Sequence, residues 1–311
     1  MAHPSPSSAP PEHDPAGPVH ALRRRGWYAA LACRLEATAA KVGNVHPAAE
    51  FADLSYAELV AAGAAIAPAL QAAAQQPLGR TIRAAVAASR GVTRSNANLG
   101  IVLAIAPIAA VPDQAALTAD AIAAVLATLT QDDARDVYAA IALARPGGMG
   151  RRTEWDVTGA PPTSLIDAMR AAAAHDQIAA LWSQGYGSLF AGPVTDIVAE
   201  LHAGQALGTA IIRSHLALLA RAADTLIARK HGDAAAADVS ARAARVLTCG
   251  PNAWPAAAAD LDHFLRSSRM NPGTSADLIA AALYILLLNG RLRGLLGDDP
   301  TIDSTITGDH S

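Results

Sequence analysis

Two short polar strings hold the residue types that chemistry needs. Lys41-Val-Gly-Asn-Val-His46-Pro47 follows a predicted helix that carries Glu36, and Asn271-Pro-Gly-Thr-Ser-Ala-Asp277-Leu opens the last long predicted helix. Each is a Gly/Pro-broken junction that presents backbone amides and side chains to a ligand, and neither is needed to build a helical core. Glu36 and Lys41 stand on neighbouring turns near a helix end. The carboxylate can act as a base or hold a metal, and the ammonium can pair with phosphate; an exposed salt bridge explains the pair as well. His46 can donate to a base or a phosphate, or fill the turn before Pro47. Thr274 at an N-cap and Asp277 three residues on make a helix-start signal by themselves. That signal leaves Asn271-Pro-Gly unexplained.

Further candidates lie between these strings. Asn96-Ala-Asn98-Leu-Gly100 flanks a predicted helix start, where asparagine caps free amides and where the same amides suit a phosphate or a base. Asp224 is read within a helix running from Leu207 to Arg229, where an ordinary ion pair would explain it. Arg229, Lys230 and His231 precede Gly232, as dipole partners in a final turn or as a cationic cluster for a ligand. His175, His202, His215 and His263 have no metal-ligand spacing and are read as packing or surface residues. Arg145-Pro-Gly-Gly-Met-Gly150 is a glycine-rich break without Walker spacing, so it is not a P-loop.

The elements that must position these residues are helices. The chain of 311 residues is dominated by alanine, with 4% aromatic and 16% charged residues. Alanine is the best helix former, so the prediction is all-α: one multi-helix domain of about ten to twelve helices. Predicted helices cover Ala21–Lys41, Tyr56–Gln75, Thr81–Ser89, Asn98 to near Pro107, Gln114–Thr130, Asp132–Ala144, Thr163–Gln184, Thr195–His202, Leu207–Arg229, Ala234–Leu247, Pro255–Arg269 and Ser275–Leu292. Residues 1–20 are expected as a disordered tail, 21–296 as the all-α domain and 297–311 as a frayed end. A net charge of −3 gives no electrostatic case for nucleic acid. The apolar stretches Leu99–Pro112 and Leu278–Leu288 fall short of a membrane span and read as core helices. Cys33 and Cys249 read as buried small residues in a reducing compartment, and the expected location is cytoplasmic.

In order along the chain, these blocks resemble the triphosphoribosyl-dephospho-CoA synthase family. The resemblance runs from about Leu31 to Leu288. It rests on Glu36 with Lys41 to His46, on Asn96 to Gly100 leading to Ala106-Pro107, and on Val137 to Gly148 with a following Asp156-Val. Asp224-Thr225 with Arg229-Lys-His-Gly232 and Leu265-Arg266 leading to Asn271–Asp277 complete it. Val42 stands where the family usually has proline, and Ala97 where it often has threonine, which suggests a divergent branch. The resemblance implies transfer of the triphosphoribosyl unit of ATP to the 2′-hydroxyl of 3′-dephospho-CoA, with release of adenine. Glu36, Lys41, His46 and Asp224 would be catalytic. Asn44, Asn96, Asn98, Gly100, Arg229, Lys230, His231 and Asn271 would bind nucleotide, and Glu36, Asp224 and Asp277 would hold Mg²⁺. Two other readings stay open: an ATP-dependent transferase in pterin-type cofactor synthesis, and a catalytically inactive nucleotide-binding protein.

Overall fold

Helix-forming alanine and leucine runs, cut by polar caps, fold into an all-α body. The computed structural model describes residues 24–146, 159–292 and 294. The two expected tails and most of the glycine-rich break with its Asp156 lie outside these residues. The described residues contain no β-strand, only isolated bridges His46–Ala49 and Phe51–Leu54.

The first half runs α1 (Arg25–Thr38), α2 (Tyr56–Ala65), α3 (Ala67–Gln71), α4 (Leu78–Val92), α5 (Leu99–Ala109), α6 (Ala119–Leu126) and α7 (Gln131–Ala144). The second runs α8 (Leu165–Ala172), α9 (Gln177–Gln184), α10 (Gly187–Leu189), α11 (Thr195–His202), α12 (Leu207–Arg221), α13 (Thr225–His231), α14 (Asp233–Thr248), α15 (Trp254–Ser267) and α16 (Gly273–Leu288). Capping boxes start α2 at Ser55/Glu58 and α7 at Thr130/Asp133. Each satisfies two amides that a helix start leaves free.

Helices outnumber the expectation because three predicted ones are broken. Asp176 caps α9 by accepting from Ile178 N and Ala179 N, which divides 163–184 in two. Asp224 does the same for α13, which divides 207–229 and takes Asp224 out of mid-helix. Ile66 and Pro68 end one helix and begin the next within 56–75. That stretch of 20 residues is the one place among the described residues long and apolar enough to cross a membrane by length and composition. Here it is bent into separate pieces that pack on α1 and α4.

Pro107 was expected to end α5, yet the helix continues to Ala109. Proline lacks the N–H that would bond the carbonyl four residues back. The Trp182 indole from α9 donates to that carbonyl, Leu103 O, at 3.0 Å, and Tyr186 donates to Ala104 O at 3.0 Å.

The core forms around α16, which is buried on every side from Leu278 to Leu288. A helix apolar all round belongs in the centre. It packs on α1, α5 and α12. A second apolar cluster joins α12 to α15 through Leu216, Ile227, Val239, Leu261 and Leu265 and includes Val42. The seam between the two clusters lies where the first and last polar strings meet.

Candidate active site

Glu36 closes the last turns of α1, and Lys41 folds back onto it. Lys41 Nζ lies 2.8 Å from Glu36 Oε1 and also donates to Glu36 O. Both residues are buried, Lys41 completely. The pair is therefore not the exposed bridge that sequence alone allowed. A buried carboxylate needs such a counter-charge, and Lys41 is committed to it, behind Glu36 and off the cavity surface.

The loop after Lys41 is fixed by the other end of the chain. Gly43 has φ +71°, a left-handed conformation that glycine adopts without strain. Its N–H donates to Asp262 Oδ1 at 2.7 Å. Arg266 holds Asp262 at 2.8 Å and donates to Asn44 O, and Asn44 Nδ2 donates to Asn271 Oδ1 at 2.8 Å. The two motifs are thus in direct contact. His215 is buried nearby on α12; burial and then Lys41 push its imidazole down to about 3, so it is neutral packing.

Asp277 projects from α16 against the first turn of α5. A Cβ built on Gly100 would lie 1.9 Å from Asp277 Oδ2, so Gly100 makes the space for this carboxyl. Burial pushes Asp277 well above the usual carboxylate range, and the nearby Glu36, Asp224 and Asp176 push it further, against Arg229. No protein donor bonds to it among the described residues, and it faces the cavity.

Asp224 is employed differently. Oδ1 accepts from Leu226 N and Ile227 N at 2.9 and 3.0 Å; Oδ2 accepts from Ser275 N and Ser275 Oγ at 2.7 and 2.8 Å. A carboxylate has about four lone-pair positions, and all are used. Asp224 ties α13 to α16. Thr274, expected as the N-cap of α16, lies inside the helix, which starts at Gly273 after Pro272; Thr274 Oγ1 accepts from Thr225 instead.

One cavity of about 1530 Å³ collects these groups. Its lining includes Glu36, Asn44, Asn96, Gly100, Arg229, Lys230, Asn271 and Asp277 from the predicted set. Lys41, His46, Asn98, Asp224 and His231 stand outside that lining. His46 sits in a turn where its Nδ1 accepts from Ala48 N, and burial with nearby Arg266 lowers its imidazole. Asn98 holds the N-cap position of α5 without a side-chain cap bond, and Asn96 Oδ1 accepts from Leu99 N at 3.3 Å instead. Sequence reasoning missed Asp176, His175, Arg90, Arg94, Arg145 and Arg269, all on the cavity wall. Asp176 carried a readable signal, an acidic residue just before an apolar helical run.

No group of three metal-ligating side chains occurs among the described residues, so Glu36, Asp224 and Asp277 do not form a ready cage. Asp224 is saturated and Glu36 is paired. Asp277 alone keeps an uncommitted carboxyl.

The all-helical body thus holds one cavity lined by carboxyls as well as by arginines and a lysine. Residues 23–294 match the family model for ATP:dephospho-CoA triphosphoribosyl transferase, and the chain belongs to that family. Its fold is also similar to the crystal structure of a proposed triphosphoribosyl-dephospho-CoA synthase from Archaeoglobus fulgidus, with TM-score 0.60 and 23% identity over 74% of this chain and 99% of that one. No curated protein is similar enough to match.

Proposed function

We propose that the protein transfers the 5-triphosphoribosyl unit of ATP to the 2′-hydroxyl of 3′-dephospho-CoA and releases adenine. The observation that carries this reading is the pair of unlike carboxyl environments in one cavity: Glu36 bonded to a buried ammonium, and Asp277 with no bonded counter-charge among the described residues, where burial raises its carboxyl above the usual range. A carboxylate paired with an ammonium and a buried carboxyl without such a partner are suited to opposite proton tasks. The bond between the ribose anomeric carbon and adenine breaks, and a bond from that carbon to the acceptor oxygen forms. Glu36 faces the positive charge that grows on the sugar and takes the hydroxyl proton; Asp277 gives its proton to the departing adenine.

Arg229 and Lys230 supply positive charge for the triphosphate from α13. Asn44 and Asn271, already bonded to each other, fix the wall facing them. Mg²⁺ needs only one or two carboxylates beside phosphate oxygens. Bound with ATP it would neutralise phosphate charge and be held chiefly by the phosphate oxygens, which leaves Asp277 to the proton transfer.

The test is chromatography and mass spectrometry of ATP with Mg²⁺, with and without 3′-dephospho-CoA. Acceptor-dependent adenine, with a product heavier by one triphosphoribosyl unit, is expected. Folded protein that yields no adenine with this acceptor overturns the reading.

A further inference from the structure

We infer that Arg90, Arg94 and Arg145 build a second anion subsite in this cavity, one that takes the diphosphate of the nucleotide acceptor while the Arg229 wall takes the triphosphate of ATP. The inference rests on the function proposed above and divides its site in two.

The three arginines come together through a parallel helix pair. Gly79 N donates to Asp133 Oδ1 at 2.8 Å, and one turn on Arg83 pairs with Asp136 at 2.9 Å, so α4 and α7 run in the same direction. Arg90 and Ala144 stand the same number of residues beyond the first contact. The two C-terminal ends therefore emerge side by side at the cavity, with Arg94 and Arg145 just past them. Arg90 donates to Arg94 O and Ser95 O, which ties down the loop that presents Arg94.

A helix C-terminus favours cations and would account for Arg90 without any ligand. It does not account for Arg145. That residue has φ 48° and ψ 57°, a left-handed C-cap where glycine is ordinarily used. Among the described residues, the non-glycine residues with positive φ are Arg145 and Arg269, and both line this cavity. An arginine kept in a strained backbone position at a cavity wall is a mark of function. Among the described residues neither Arg94 nor Arg145 forms a salt bridge, and the acidic neighbour that Arg94 acts on is Glu58.

Size points the same way. About 1530 Å³ exceeds the roughly 300–1,000 Å³ of a pocket for one small ligand. Beside Arg145, α8 turns Leu165, Ala168, Met169 and Ala172 to the cavity, an apolar wall suited to a base or an alkyl arm.

Calorimetric titration of ATP with Mg²⁺, and separately of 3′-dephospho-CoA, tests the division on wild type, Arg94→Ala, Arg145→Gly and Lys230→Ala. Arg145→Gly suits the left-handed backbone, so its Tm should be unchanged or raised and lost binding cannot be blamed on unfolding. Removing one charge-assisted phosphate contact should weaken dephospho-CoA about ten-fold in Arg94→Ala and Arg145→Gly and leave the Kd for ATP within about two-fold. Lys230→Ala should do the reverse. Unchanged dephospho-CoA affinity in Arg145→Gly, or an equal loss for ATP, overturns the subsite. Inorganic pyrophosphate, titrated in the presence of saturating ATP, separates the two readings. If wild type binds it and Arg145→Gly does not, the subsite stands even when dephospho-CoA proves not to be the acceptor. If wild type does not bind it, the subsite falls whatever the reaction.

Discussion

Asp277 holds the largest conflict between stability and function in the cavity. Native Asp277 binds its proton more tightly than an unfolded aspartate, because of burial and then the neighbouring carboxylates. As pH rises above the ordinary aspartate value, the unfolded state loses that proton first, and stability falls until the raised value is passed. Asp277→Asn removes this liability. Its Tm should exceed that of wild type by a margin that grows as pH rises above the ordinary aspartate value, while adenine release is lost. A flat margin above that value would show that Asp277 does not hold its proton. Lys41 carries the opposite burden. Lys41→Met strands the Glu36 carboxylate without its partner and should cost about 3–5 kcal/mol in denaturant unfolding. Glu36→Gln added to Lys41→Met should recover most of that loss without recovering activity. Full activity in Lys41→Met would remove the pair from the mechanism.

At the scale of elements, the sequence shows where helices are more clearly than where they break. The all-α class, the core placement of the Leu278–Leu288 run and the stop at Gly232 were legible from composition and spacing. The division at Asp224 was not, because an aspartate between two apolar stretches reads equally as a surface residue of one longer helix, and the same ambiguity masked the acidic signal at Asp176. Only the capping bonds decide, and for Asp224 half of them come from Ser275 on a distant element. The continuation of α5 through Pro107 was hidden for the same reason: its missing donor is replaced from α9. Trp182→Phe keeps most of the packing but leaves Leu103 O unsatisfied, at a cost of about 1–3 kcal/mol. Pro107→Ala restores a backbone donor to that carbonyl, so the double variant should be less destabilised than the sum of the singles. Strict additivity in the unfolding free energies would break this link. Gly100→Ala tests α5 from its other end. The added Cβ meets only the movable carboxylate of Asp277, so the helix should fold as stably or better while activity drops at least about ten-fold.

Across the whole molecule, the site exists because the chain closes on itself. The residue types at both ends were readable, but their meeting was not, since no spacing in sequence encodes a contact between Asn44 and Asn271. Equally, sequence could not show that Lys41, His46 and Asp224 would turn away from the cavity while Arg145 and Arg269 turned toward it. Gly43 is the point where closure is most exposed to a single change. At φ +71° an alanine is strained, and its Cβ would meet Pro272 Cδ at 2.8 Å and Leu265 Cδ1 at 2.9 Å. Neither obstacle is the loose end of a polar side chain: one is a ring that starts α16, the other a buried leucine of the second core. Backbone strain of about 1–3 kcal/mol and overpacking of a similar size should therefore act together in Gly43→Ala. The loop's easiest relief is to move off Pro272, which breaks the Asn44–Asn271 bond and opens the wall facing Arg229. A ligand that bridges both ends stabilises the native state in proportion to its occupancy, by about 2.7 kcal/mol at one hundred times Kd. The Tm increase given by a fixed excess of ATP with Mg²⁺ should be present in wild type and largely absent in Gly43→Ala. An equal increase in both would mean that ATP binds without the junction of the two termini, and the closure would then be scaffold rather than part of the site.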